Sequence, residues 1–311
     1  MIPKVSSYNI NSYNSVNHST LNNKPVFTSL PCFFDDYTDT NGISRSTQHT
    51  TDLREDLDYK NVAKIIHREI KRNLRKNFKN NIVSLFKKTS QSDLGDICAP
   101  KVNIYCMAGS DGTEAYALAN AIIEEMGFKK AKKYVFPIKV SDACENIIEE
   151  YGKKGIIYFY DDEINKLKSI KKYLKPTGNI YNYNPAGNTK IEMKDLKEYE
   201  ITQEFRDCFT FETADFQEKI KNFPLAKKNE FNIILIRNCL TQSFGSIQTT
   251  VLLNDMPNHL PSGSLVIFGD YDTKRKMPLV FQYREGLFPI DTKNNIFMVE
   301  RNSDELLNNI F

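Results

Sequence analysis

Tryptophan is absent from this 311-residue chain, and histidine occurs only at positions 18, 49, 67 and 259. Histidines so scattered form no ligand cluster, and the cysteines at 32, 98, 106, 144, 208 and 239 include no C-x-x-C pair. These absences speak against a zinc site. No stretch approaches the ~18 apolar residues of a membrane span, and the N-terminus lacks the apolar core of a signal peptide. Charge of one sign is also in short supply. The formal net charge of +3 gives no reason to expect nucleic-acid or membrane-surface binding, so a polyanionic partner would need a local patch. Cys106 and Cys239 fall in apolar runs that read as buried strand ends, where a reduced thiol behaves as a small hydrophobe. A reducing, cytoplasmic setting follows as the expectation.

What is present suffices for a folded core, since 40% of the residues are hydrophobic. Residues 1–45 are rich in Asn, Ser and Thr without a sustained period and read as a flexible tail. Within it, Val26-Phe27 and Phe33-Phe34 are apolar enough to dock on the folded body or on a partner. Residues 46–100 read as a helical segment and linker. Val62, Ile65, Ile66, Ile70, Leu74 and Phe78 recur at helical spacing, while Lys64, Arg68, Lys71, Arg72, Arg75, Lys76 and Lys79 make the other face basic. That face is either a grip for an acidic partner or a solvated surface.

From residue 101 the pattern alternates strand, turn, helix and strand, which predicts a parallel α/β sheet. Val102–Met107 reads as its first strand, Thr113–Met126 as a helix, Pro137–Val140 as a second strand and Cys144–Tyr151 as another helix. A polar stretch at about 155–211, with Pro185-Ala186-Gly187 inside it, reads as a small inserted subdomain containing a hairpin. Phe231–Ile236, apolar at every position but Asn232, reads as a strand covered on both faces. Leu265–Gly269 follows as a strand, and Leu279–Tyr283 with Ile296–Val299 would close the sheet as an antiparallel edge pair.

Ligands bind beyond the carboxyl ends of strands in such sheets, so the turns hold the candidate residues. Ala108–Glu114 offers close backbone approach at Gly109 and a carboxylate at Glu114. With two glycines and two acids instead of G-x-G-x-x-G, it suits a cofactor without phosphate. Asp142 ends the second strand, where a carboxylate can accept from both hydroxyls of a ribose or cap the helix that follows. Asp215 and Phe216 could hold an adenine by its amino group and face. Arg237-Asn238-Cys239 follows the most apolar strand, where Asn238 could contact a ligand or serve as a cap.

In this order the loops resemble the CheR-type methyltransferases that esterify glutamates of chemotaxis receptors, over roughly residues 48–300. Gly109-Ser110-Asp111-Gly112-Thr113-Glu114-Ala115-Tyr116-Ala117-Leu118-Ala119 is similar to the family's S-T-G-E-E-P-Y-S-L-A run. Phe231–Leu240 resembles F-D-x-I-x-C-R-N-V-x, Ser141-Asp142 falls on the ribose-binding acid, and Leu260–Leu265 on L-x-P-G-G-x-L. Gln48–Glu55 is similar to N-x-T-x-F-F-R-E, which puts Thr50 and Arg54 at the cofactor's reactive end; a rival match, Ser29–Asp36, would put Asp35 in the arginine's place.

The resemblance implies an α/β class I methyltransferase fold with a Rossmann-like sheet and a small β insert. It implies S-adenosyl-L-methionine as cofactor, held by Thr50, Gly109, Glu114, Asp142, Asp215, Phe216, Asn238 and Cys239, with Arg54 as the catalytic residue. It also implies an acidic, receptor-like protein substrate. The chain departs from the family where Thr241-Gln242-Ser243 replaces I-Y-F, Asp215-Phe216 replaces Asn-Leu, and Asp52-Leu53 replaces the double phenylalanine. These departures keep open a second reading, a degenerate methyltransferase-fold module that binds and regulates without catalysis.

Overall fold

The computed structural model describes residues 34–38, 44–48, 57–87, 100–183, 194–225, 230–237, 239–240, 246–270, 272–273 and 286–300. Strands β1 (Phe34–Thr38) and β2 (Ser44–Gln48) pair antiparallel, in register from Phe34 opposite Gln48 to Thr38 opposite Ser44. The composition of residues 1–45 thus concealed a hairpin, whose alternation is blurred by Asp35, Asp36 and the serines. The docking segment Val26-Phe27 lies outside the described residues.

Helix α1 (Tyr59–Lys87) leads into β3 (Lys101–Met107), α2 (Thr113–Met126), α3 (Phe128–Tyr134) and β4 (Ile138–Asp142). The ladder of β4 begins one residue after Pro137, which has no N–H to donate, and Ile138 donates to the Cys208 carbonyl at 2.9 Å. The helix expected at Cys144–Tyr151 is α4 (Glu145–Ile147), continued as a π-helical segment over Ile148–Lys153. The insert holds β5 (Ile156–Phe159), α5 (Asp161–Ile164), β6 (Leu174–Tyr183) and β7 (Lys194–Ile201), its three strands forming an antiparallel sheet in the order β5-β7-β6. The Pro185-Ala186-Gly187 turn lies outside the described residues.

After α6 (Gln203–Arg206) comes β8 (Phe209–Thr213), which the sequence reading assigned largely to the insert. It is the edge strand of the main sheet, parallel to β4 with Ile138 opposite Phe209. Helix α7 (Phe216–Lys221), β9 (Glu230–Ile236), α8 (Ser246–His259), β10 (Leu265–Phe268), β11 (Leu287–Asp291) and β12 (Ile296–Val299) complete the chain. The outer, antiparallel neighbour of β12 is β11; the expected partner, 279–283, lies outside the described residues. Pro289 and the half-exposed Phe288 and Ile290 weaken the strand signal in β11.

The seven-stranded sheet has the order β11-β12-β10-β9-β3-β4-β8. Strands β8, β4, β3, β9 and β10 run parallel, and β12 runs against β10. Strand alternation divides the core. Ile233 and Leu235 of β9 join a cluster with Val62, Ile66 and Ile70 of α1 and Ala115, Leu118 and Ile122 of α2. Ile234 and Ile236 join Ile220 of α7 and Leu253 and Met256 of α8 on the other face. Each fully buried side chain of this kind contributes about 1.5–3 kcal/mol, so β9 is anchored from both sides. The chain winds outward from β3 to β4 and β8, then returns to β9 on the opposite side. The order therefore reverses between β3 and β9, and the crevice above their carboxyl ends is where such folds bind ligands.

Candidate active site at the carboxyl edge of the sheet

Between β3 and α2 the chain turns by taking left-handed backbone angles at Ala108 (φ 53°), Ser110 (φ 51°) and Gly112 (φ 94°). Such angles are uncommon for residues other than glycine, and side-chain bonds fix the turn. Asp111 Oδ1 accepts from the Thr113 amide at 3.0 Å and from its hydroxyl at 2.8 Å. Gly109 lies close against β4, its amide donating to the Ser141 carbonyl at 2.9 Å. A Cβ at Gly109 would stand 2.7 Å from Val140 Cγ1 and 3.1 Å from the Cys106 carbonyl. The space that glycine leaves is thus filled by protein, so a side chain at this position would run into β3 and β4. Gly109→Ala should cost about 1–3 kcal/mol through this overlap, measured as a lower midpoint of urea unfolding. Wild-type stability in that variant would mean the loop does not rest on β4.

Asp142, at the end of β4, is buried, and both carboxylate oxygens are engaged. Oδ2 accepts the Ser110 amide at 2.9 Å and Oδ1 the Cys144 amide at 3.0 Å. One carboxylate thus closes the turn two residues ahead of α4, whose N-cap is Cys144 and not Asp142, and ties the glycine loop to the second strand.

Across the switch point, Glu114 Oε1 lies 3.0 Å from Arg237 Nη1, with side chains 9% and 1% exposed. Arg237 Nη1 also donates to the Tyr59 hydroxyl at 2.9 Å, and its guanidinium lies 5.7 Å from the centroid of the Tyr59 ring. The first turn of α2, the end of β9 and the first turn of α1 therefore meet on one buried ion pair. The start of α1 is held further by Asp58, whose amide donates to Asn294 Oδ1 at 3.1 Å, and by Asn61, whose side chain donates to Asp291 Oδ2 at 2.8 Å. A buried arginine directly after the most apolar strand was a readable signal. Tyr59 gave none, because it looks like one more member of the α1 stripe.

Asp215 is the N-cap of α7, with Oδ1 accepting the Gln217 amide at 2.7 Å and the Glu218 amide at 3.4 Å. The Phe216 ring is buried in the cluster that contains Tyr105, Met107, Ile220 and Phe223. Oδ1 of Asp215 is thus engaged by its own helix, and the Phe216 ring packs against the core. Cys239 is half-buried at the end of β9. Thr50, Arg54 and Asn238, with Gln242 and Ser243, lie outside the described residues.

The buried thiols and phenol near this edge are not nucleophiles. Burial pushes the Cys106 thiol far above its ordinary range, reinforced by Glu114. Burial likewise raises the Tyr116 phenol beneath the loop, with Asp111 adding to it. Among the described residues no group of His, Cys, Asp and Glu could hold a metal ion, and no helix is long and apolar enough to cross a membrane.

A family model described as CheR methyltransferase, SAM binding domain, matches residues 72–287. The chain belongs to the CheR methyltransferase family. As a CheR-family protein it is an S-adenosylmethionine-dependent methyltransferase with the Rossmann-like α/β fold that the resemblance implied. Among solved structures it is similar to magnesium protoporphyrin IX methyltransferase from Synechocystis PCC 6803 with bound SAM, at 11% identity over 74% of this chain and 81% of that one, with a TM-score of 0.27. A search of curated proteins finds no match.

The residues of this CheR-family edge fit such a cofactor by their chemistry. Asp142 is a buried carboxylate, the kind of acceptor that ribose hydroxyls take, and the Glu114–Arg237 pair sets an anion and a cation side by side, complementary to the ammonium and carboxylate of a methionine moiety.

Proposed function

We propose that this protein O-methylates carboxylate side chains, glutamates of an acidic protein partner, as the chemotaxis-receptor methyltransferases do. The observation that supports the reading is the convergence of Asp142, Glu114 and Arg237 on the β3/β9 switch point in a chain of the CheR family. When bound, S-adenosylmethionine supplies an electrophilic methyl on a sulfonium, and its transfer to a carboxylate leaves a methyl ester and a neutral thioether. With an unperturbed pKa of ~4.3, a glutamate acceptor is already ionised at neutral pH, so no base is needed and no proton moves. The protein's contribution is then positioning and the exclusion of water. Asp142 holds the ribose, Glu114 and Arg237 the methionine end, and Thr50, Gly109, Asn238 and Cys239 complete the cofactor contacts. Asp215 and Phe216 bound the adenine side from their capping and packing positions. Arg54 orients the acceptor carboxylate through a bidentate contact.

The test is transfer of radioactive methyl from the cofactor to acidic proteins, scored as base-labile label. Arg54→Ala should lower transfer at least ~100-fold, the cost of losing a charge-assisted orienting contact, with S-adenosylhomocysteine still bound. Unchanged turnover would remove Arg54 from the reaction. Cofactor binding without transfer to any acidic protein would favour the alternative, a methyltransferase-fold regulatory module.

A further inference from the structure

The exposed face of α1 carries Lys64, Arg68, Lys71, Arg72, Arg75 and Lys76, all lining one cleft of about 690 Å³ together with His67 and Glu125. At 100° per residue these six cations fall within a single arc of the helix. Two acids nearby are already committed: Glu69 pairs with Arg72 at 2.7 Å and Glu125 with His67 at 2.7 Å. Lys64, Arg68, Lys71, Arg75 and Lys76 have no ion-pair partner among the described residues. Like charges three and four positions apart repel and weaken a helix, and Lys64 with Arg68, Arg68 with Lys71, Lys71 with Arg75 and Arg72 with Lys76 are all so placed. A merely solvated face is usually laced with acids that relieve such repulsion; among the described residues only Arg72 of the six cations is so relieved.

Position gives the stripe a direction. Tyr59, in the first turn of α1, contacts Arg237 at the carboxyl edge. Lys64 lies five residues further, and the cations continue to Lys76, so at ~1.5 Å per residue the stripe runs for about 18 Å away from the active edge. We infer that this stripe is the docking surface for an acidic segment of the protein substrate, which it holds alongside α1 with one end at the methyl-transfer site. The inference rests on the proposed protein-carboxylate activity and adds where the partner binds.

Charge complementarity with a carboxylate-rich peptide carries the choice of partner. The described part of the stripe has no aromatic side chain on which nucleic-acid bases could stack, and the formal net charge of the whole chain is only +3. The apolar residues Val62, Ile65, Ile66 and Ile70 of the same helix are buried in the core and offer no face to lipid.

The experiment compares the full-length protein with an Arg68→Glu/Arg75→Glu variant, both on the exposed face. Binding of a fluorescent Glu-rich peptide is followed by anisotropy at low and high salt, beside its Gln-for-Glu counterpart and a single-stranded oligonucleotide. The expected result is peptide affinity that falls with salt, is absent for the Gln peptide and drops at least tenfold in the variant, while S-adenosylhomocysteine binding and the unfolding midpoint are unchanged. Equal peptide binding by the variant, or tighter binding of the oligonucleotide than of the peptide, overturns the inference. Methyl transfer assayed in parallel on the wild type separates the two failures: a docking surface that binds no acidic peptide in an active enzyme sinks this inference alone, and peptide docking in an enzyme inactive on carboxylates sinks the activity alone.

Discussion

Glu114→Gln is expected to destabilise the protein by about 3–5 kcal/mol, because it removes the carboxylate paired with the buried Arg237 guanidinium. Arg237 is only 1% exposed on its side chain and has Glu114 as its ion-pair partner at 3.0 Å. The Tyr59 hydroxyl can accept one hydrogen bond from it but carries no countercharge. Against a total stability of about 5–15 kcal/mol such a loss is a large fraction, and it should show as an early urea transition with unchanged slope. A double substitution, Glu114→Leu with Arg237→Met, removes both charges and should recover most of that loss, since apolar replacement of a buried pair is often neutral. Cofactor binding should not return with stability, because the acid and the base proposed to hold the methionine end are both gone. A loss below ~1 kcal/mol for the single variant would instead assign the pair to solvent, where such contacts contribute little.

The parts of this fold that could be read in the sequence are those whose pattern is enforced by burial. Thr113–Met126 is legible with its observed bounds because its alanines and leucine must face the core, and Phe231–Ile236 because a strand covered on both faces is apolar at every position but Asn232. Ile296–Val299 was legible for the same reason. Edge elements were not. Phe209–Thr213 alternates apolar and polar residues, with Phe209 buried and Thr210 exposed, but it follows the Lys- and Tyr-rich insert and so looked like its last piece. Leu287–Asp291 exposes most of its side chains and contains a proline. The site shows the same division. Glycine, acid and loop order pointed to Asp142 and Glu114, but a sequence does not reveal which acids already have partners. Asp215 is taken by two amides of its own helix, and Glu114 by an arginine more than a hundred residues away.

Asp142→Ala is expected to weaken S-adenosylhomocysteine binding by about 100-fold or more, the loss of two hydrogen bonds to a charged acceptor at roughly 1.5–3 kcal/mol each. The substitution also removes two protein contacts, to the Ser110 and Cys144 amides, so weaker binding alone would not show that the carboxylate meets the ligand. Asp142→Ser separates the roles. Serine can accept from the Cys144 amide two residues on, as hydroxyls do in turns of this kind, though it is too short to hold Ser110 as well. The serine variant should therefore recover about 0.5–1.5 kcal/mol of stability relative to alanine. Calorimetry decides the rest. If affinity stays as low in the serine variant as in the alanine variant, the carboxylate itself binds the ribose. If affinity rises in step with stability, Asp142 only shapes the loop, and the ribose acceptor must be sought on another strand end.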